Sequence, residues 1–422
     1  MDGSAVTLLE QGKRSRAAAI ILAKTPSAHK NQALIHIADF ILDHKNEVLD
    51  ANARDINSGN GVNDAFMDRL AITPERLLKM ADDVRNIAKL DDPVGEVFDM
   101  NTRPNGLTIG KKRVPLGVIG SIYESRPNVT LDISSLCLKS GNACILRGGS
   151  EAINSNSVLT KLVRQAIGEV GLPKDAVQLI EDTDRKFVSS MLKMKKYIDL
   201  MVPRGSADFI DFVSENATMP VVSGGVGVCR TFIDKAANFD DAIAIVYNAK
   251  VQRPTVCNAL DTLLVHKDIA TQFLPAMARK WAEVGLEMRC DSRSFRILSP
   301  IEGLNLKPVM EEDWNMEFLS LTAAVKIVDS ADEAIEHISN YYSGHSEAIV
   351  TEDESLATKF LDEVDAAAVF VNASTYFHDG SEFGLGAEIG ISTQKFHARG
   401  PMALKEMTSY KWIVLGNGQI RI

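Results

Sequence analysis

The sequence predicts an α/β protein in which a helical lead precedes two runs of doubly wound, parallel-sheet structure. Three observations carry that prediction. Apolar residues recur at helical spacing through residues 1–95. From Val114 onward, short apolar runs alternate with helical segments, the pattern of repeated β-α-β units. The alternation resumes after Arg230, and a chain of 422 residues exceeds one ordinary core and implies two or three lobes.

In the helical lead, Leu34, Ile37, Ile41, Val48 and Ala51 share one face, with Asp39, Asp43, His44 and Glu47 on others. Thr73 reads as an N-cap, Pro74 as the first helical position and Glu75 as a carboxylate at the positive helix end. Asp91-Asp92-Pro93 stops that helix. His29, His36 and His44 read as solvated helix side chains, because no cysteine or carboxylate spacing accompanies them. Residues 107–114 form a polar, basic strand between lobes, its cations a solvated face or an intersubunit contact.

The first sheet follows. Strands are predicted at 115–123, 143–146, 177–180 and 198–202, with helices at 129–138, 151–170, 185–195 and 206–214. The second run places helices at 240–249, 269–284, 331–339 and 355–364, and strands at 260–265, 324–328, 348–350 and 368–372. The tail is polar and glycine-rich over 383–399 and closes with an apolar strand at 412–415. A terminal strand this apolar needs a partner edge. Another subunit is the preferred partner, with the strand's own chain as the alternative.

Composition narrows the function classes. Hydrophobic residues make up 45% and charged residues 24%, a globular profile. No apolar run approaches the roughly 18 residues of a membrane span, and Met1-Asp2-Gly3-Ser4 lacks the basic start of a secretory signal. Five cysteines without CxxC or histidine spacing argue against a disulfide framework or a metal site and for the cytoplasm. A net charge of -10 gives no reason to expect nucleic acid.

Parallel sheets bind ligands beyond the carboxyl ends of their strands, which directs attention to 124–128, 147–150 and 203–206. Arg147-Gly148-Gly149-Ser150 and Pro203-Arg204-Gly205-Ser206 each set a cation and a small residue where a strand meets a helix. That composition suits a phosphate and equally an ordinary capped turn; two such turns in one sheet tip it towards a nucleotide cofactor. Standard phosphate fingerprints are missing: 106–112 lacks P-loop spacing, and 384–390 misplaces its third glycine by one residue. Ser223-Gly224-Gly225-Val226-Gly227 is either a hinge or a close backbone approach to a ligand. Cys257, in Gln252-Arg-Pro-Thr-Val-Cys-Asn258, falls where a loop becomes a strand. A thiolate there could attack a carbonyl, although a lone cysteine is more often a small core residue.

Seven ordered motifs resolve that choice. They are Val114-Pro-Leu-Gly-Val-Ile-Gly120 with Tyr123-Glu-Ser-Arg-Pro-Asn-Val129, Ile145-Leu-Arg-Gly-Gly149, the Gln252–Asn258 stretch, Val371-Asn-Ala-Ser-Thr375, Phe383-Gly-Leu-Gly-Ala-Glu388 and Ser392-Thr-Gln-Lys-Phe-His-Ala-Arg-Gly-Pro401. Together they resemble the aldehyde dehydrogenase superfamily, and within it the branch of γ-glutamyl phosphate reductases, from end to end. The resemblance implies an NADP-binding domain (1–100 and 120–230), a catalytic domain with the nucleophilic cysteine (231–400) and oligomerisation strands (101–119 and 401–422). It implies NADPH, the substrate γ-glutamyl phosphate, a homo-oligomer and functional coupling to a γ-glutamyl kinase.

By that resemblance Cys257 is the nucleophile and Asn128 an oxyanion donor. Arg147, Gly148, Ser206, Gly225 and Glu317 bind the cofactor, and no metal is expected. Arg126, Lys395, His397 and Arg399 are candidates for the substrate's anions, or else solvated loop charges. One departure is informative. Hydrolytic members carry a glutamate that activates water, whereas the corresponding stretch here, Val222-Ser223-Gly224-Gly225, has no carboxylate. A reductase gains nothing from activated water, so the absence fits reduction of an acyl phosphate. A hydrolytic dehydrogenase, a CoA-acylating dehydrogenase and an inactive binding protein are the alternatives.

Overall fold

The computed structural model describes residues 3–58, 64–124, 126–222, 224 and 226–421. The chain forms two compact units, one of Met1–Ser223, Gly384–Gly390 and Met402–Ile422, the other of Gly224–Phe383 and Ile391–Pro401.

The first unit opens with helices Gly3–Leu22, Ser27–Asp43, Lys45–Ser58, Asp64–Leu70 and Pro74–Lys89. The last is capped as its sequence requires: the Thr73 side chain accepts the Arg76 N–H, Pro74 occupies the first turn, and Leu77, Ala81 and Val84 are buried. Four parallel strands follow, in the order Val177–Leu179, Ala143–Gly148, Val118–Tyr123, Leu200–Arg204. The chain enters at Val118–Tyr123, builds outward on one side, then crosses to the other. Its switch point therefore lies between Val118–Tyr123 and Leu200–Arg204, where ligands of open α/β sheets bind.

The expected strand at 115–123 is broken. Thr108–Pro115 belongs to a separate antiparallel sheet, and the chain turns at Gly117 (φ 127°). A Cβ there would sit 2.2 Å from the Asp199 carboxylate, which also accepts the Val118 N–H. Only glycine fits both the conformation and the space. Val118 and Ile119 thus lie in the parallel sheet, inside the 101–119 segment expected to serve oligomerisation. Residues 384–390, expected with 231–400, belong to the first unit.

The antiparallel sheet has the order Val97–Thr102, Thr108–Pro115, Thr408–Leu415. The terminal strand pairs with its own chain over eight residues, from Thr408 opposite Pro115 to Leu415 opposite Thr108. Its own chain, the alternative partner, thus takes one edge of this strand. Val97–Thr102 was not legible because it alternates poorly, with Asp99 at a left-handed φ of 55° beside a register shift.

The second unit holds seven parallel strands in the order Asn305–Pro308, Glu287–Cys290, Thr322–Val328, Leu260–His266, Cys229–Ile233, Ser346–Val350, Ala368–Val371. Apolar cores cover both faces, one around Phe273, Met277 and Trp281, the other around Phe232, Ile338 and Phe360. Strands buried on both faces read as continuous apolar runs, as Leu260–His266 does. Cys229–Ile233 was missed because Arg230 interrupts it. That guanidinium is buried and neutralised by Glu347 on the adjacent strand, at 2.8 Å.

Candidate active site

In the second unit, the segments with chemistry gather at the amino ends of the strands, opposite to the carboxyl-end rule applied to the sequence. Cys257 lies in the turn between helix Phe239–Val251 and strand Leu260–His266, and its side chain is exposed. The turn is braced from several directions. The buried Asn258 amide donates to the carbonyls of Tyr376 (3.1 Å) and His378 (3.2 Å), and the Thr375 hydroxyl donates to the Asn258 carbonyl at 2.8 Å. From beneath, the buried Cys229 thiol donates to the Cys257 carbonyl at 3.1 Å. Gly227 packs against the same carbonyl: a Cβ on it would lie 2.6 Å from that oxygen and 3.1 Å from the Cys257 Cβ.

Behind the turn runs a buried polar chain. The His345 Nδ1 lies 3.5 Å from the Cys229 sulfur and 2.7 Å from the Ser346 hydroxyl, which in turn is 2.7 Å from the His378 Nδ1. A serine hydroxyl carries one hydrogen, so at least one of these histidines donates to Ser346 through Nδ1. Burial holds both neutral, pulling His345 down to about 3 and His378 to about 4. Cys229 thus anchors the Cys257 turn, and burial keeps its thiol protonated.

Glu317 belongs to the same neighbourhood. Burial pushes its carboxyl up to about 7, helped by the Asp261 charge and opposed by the Gly227 backbone hydrogen bond. Asp261 fixes the segment, since its carboxylate accepts the Phe318 N–H at 3.1 Å and faces the buried Lys250 ammonium at 3.5 Å. Burial raises Asp261 to about 6.

In the first unit, Asn128 and Ser206 both fall at the switch point. Asn128 opens helix Asn128–Lys139, and its amide donates to Asp132, one helical turn on, at 2.9 Å. Ser206 precedes helix Ala207–Asn216, and its hydroxyl makes no capping bond. Arg147, at the end of the neighbouring strand, donates through Nη2 to the Thr183 carbonyl, while its buried Nε has no partner.

Residues 5–294 match the profile of the aldehyde dehydrogenase family. The chain belongs to the aldehyde dehydrogenase family. It is 57% identical over 423 residues, covering 100% of both chains, to the γ-glutamyl phosphate reductase of Dehalococcoides mccartyi strain CBDB1. It is 50% identical to that of Roseiflexus castenholzii, covering 98% of this chain and 99% of the relative. The crystal structure of γ-glutamyl phosphate reductase from Thermotoga maritima superimposes with a TM-score of 0.95 at 46% identity, covering 98% of this chain and 100% of that one.

Gly148 is required by packing, because a Cβ would lie 2.0 Å from the Asn156 amide. Gly225 lies outside the described residues. Gly224 is fixed by a close approach, its Cβ position falling 2.4 Å from the Ile391 carbonyl. Arg126 is exposed. Lys395 and Arg399 converge on Asp365, Arg399 at 2.6 Å, and Arg399 also donates to the Tyr342 hydroxyl at 3.0 Å. Two cations share one carboxylate, leaving that cluster a net positive charge. His397 holds a left-handed φ of 75°, a strained conformation for a histidine.

Sequence reasoning missed Asp132, Asp261 and the two buried histidines. The spacing of Asn128 and Asp132 could have revealed the first of these. The others meet only through the sheet. His29, His36 and His44 bond to the Val170 carbonyl, Glu169 and the Phe40 carbonyl, and no group of three metal-ligating side chains occurs among the described residues. No described helix is long and apolar enough to cross a membrane.

Proposed function

We propose that the chain reduces γ-glutamyl phosphate to L-glutamate 5-semialdehyde and phosphate through a thioester on Cys257, the second step of proline biosynthesis from glutamate. The observation that carries this reading is an exposed thiol on a turn whose neighbouring backbone is bonded down on every side, within a chain 57% identical along its whole length to a γ-glutamyl phosphate reductase. The Cys257 thiolate attacks the acyl carbonyl and phosphate departs, which needs no activated water. The Asn128 amide donates to the developing oxyanion, and a donor of this kind contributes about 3 kcal/mol. Hydride addition would convert that thioester to a hemithioacetal, whose collapse releases the aldehyde and returns the thiolate.

The cofactor of this reading is NADPH, which supplies the hydride when bound. The residues present fit it. Arg147 offers a charge with a partnerless Nε to a ribose 2′-phosphate, and Ser206 offers an uncommitted hydroxyl at a helix start. Glu317 offers a carboxylate to ribose hydroxyls. On this reading the unit with the four-stranded sheet takes the cofactor, with Gly148 giving close backbone access. The seven-stranded unit supplies the nucleophile. Arg126, His397 and the Lys395–Arg399–Asp365 cluster attract the substrate's anions. The antiparallel sheet joins subunits of a homo-oligomer in the cytoplasm, and a γ-glutamyl kinase furnishes the labile acyl phosphate.

The test is phosphate-dependent reduction of NADP+ with glutamate 5-semialdehyde. Cys257→Ala should abolish turnover while NADPH still binds. Turnover retained in that variant, or a requirement for CoA in place of phosphate, would refute the assignment.

A further inference from the structure

Asp132 is a carboxylate whose position the proposed chemistry does not use. It projects from helix Asn128–Lys139 one turn beyond Asn128 and is partly buried at the switch point of the four-stranded sheet. Its one hydrogen bond among the described residues comes from the Asn128 amide, at 2.9 Å. An ionised carboxylate offers about four acceptor sites, so most of its capacity is unspent. The charges bearing on it are Asp83 of helix Pro74–Lys89 and Arg204 at the end of strand Leu200–Arg204, and neither forms an ion pair with it. Lys79 acts on Asp83 from the same helix. A partly buried carboxylate that accepts one hydrogen bond, from the Asn128 amide, has acceptor capacity left for a cation.

We propose that Asp132 binds the α-ammonium group of the substrate and thereby selects acyl phosphates of amino acids over simple acyl phosphates. This rests on the reading above, in which Asn128 holds the reacting carbonyl oxygen. In a γ-glutamyl group two methylenes separate the carbonyl carbon from the carbon bearing the ammonium. Hydrogen bonds of roughly 2.8 Å reach outward from Asn128 and from Asp132, and added to their own separation they span more than that chain requires. The same carboxylate accepts only, so it also fixes which end of the Asn128 amide presents nitrogen. Burial raises Asp132 to about 6, against the Asn128 hydrogen bond, so it is ionised at neutral pH and a bound ammonium would lower it.

The experiment is the reverse reaction with phosphate and NADP+, comparing glutamate 5-semialdehyde with 5-oxopentanoate, the same aldehyde acid without the amine. The native enzyme should favour the amino aldehyde. Asp132→Asn keeps an acceptor for Asn128 but removes the charge, and its loss of kcat/KM on the amino aldehyde should exceed its loss on 5-oxopentanoate by about 10- to 100-fold. Asp132→Ala should show the same differential with a larger common loss. Equal losses on both aldehydes would reduce Asp132 to a positioning residue and overturn the proposal, as would a native enzyme indifferent to the amine. A native enzyme that turns over neither aldehyde would overturn it together with the reading beneath it.

Discussion

Replacing Gly227 with alanine puts the braced-cysteine argument at risk. The added Cβ would lie 2.6 Å from the Cys257 carbonyl oxygen and 3.1 Å from the Cys257 Cβ. Neither neighbour can rotate away, since one is backbone and the other the first atom of its side chain. Reaching ordinary contact requires a separation of roughly 0.8 Å. The carbonyl is also held by the Cys229 thiol, and the next residue is pinned through Asn258. Relief must therefore move the Cys257 thiol or the Gly227 N–H that serves Glu317. A misplacement near 1 Å costs about 100-fold in rate, so kcat should fall by roughly 30- to 100-fold with little change in KM. Overpacking should cost about 1–3 kcal/mol of stability, leaving the protein folded. Steady-state phosphate-dependent NADP+ reduction gives kcat, and the rate of iodoacetamide labelling reports thiol placement independently. A kcat within about twofold of native, with native labelling, would refute the reasoning.

Asn258→Ala strands a buried carbonyl and a partly buried one and should cost about 2–3 kcal/mol in urea unfolding; a change below about 0.5 kcal/mol would show the brace is dispensable. Arg230→Met leaves Glu347 buried without its partner and should cost about 3–5 kcal/mol, and the double variant with Glu347→Leu should recover most of it. His345 and His378, held near about 3 and about 4, make the native state refuse protons that the unfolded chain takes below about 6.5. Stability should thus fall with pH from about 6.5 towards about 4, at up to about 1.4 kcal/mol per unit for each histidine. Asp132, Asp261, Glu317 and Glu347, all raised, act in the opposite sense, so the informative quantity is the difference in slope between native and His345→Asn proteins. An identical slope would count against a buried neutral His345.

Local signals were legible wherever neighbours in sequence are neighbours in space. The Thr73-Pro74-Glu75 start and the strand at Leu260–His266 both follow from short-range rules. So does the Asn128–Asp132 contact, one helical turn apart, although its spacing was passed over. Signals failed where a residue's character depends on a distant partner. Arg230 disguised a core strand until Glu347, on the adjacent strand, supplied the neutralising charge. Cys229 carried no local signal until the sheet set it under Cys257. Lys395 and Arg399 looked like open cations until folding brought both to Asp365.

By itself the sequence determined the class of fold, the alternation of strands and helices, the cysteine in its motif and the missing carboxylate that points to reduction. Periodicity and motif spacing are properties of a local stretch, and they survive without knowing what packs against it. Only the tertiary structure decided which strand neighbours which, and therefore that the Cys257 turn sits at the amino ends of a seven-stranded sheet. It also decided that Asn258, Thr375 and Cys229 hold that turn, and that the terminal strand closes on Thr108–Pro115. Strand order is fixed by burying apolar faces and pairing backbone groups over long sequence separations, and no window of sequence contains both partners.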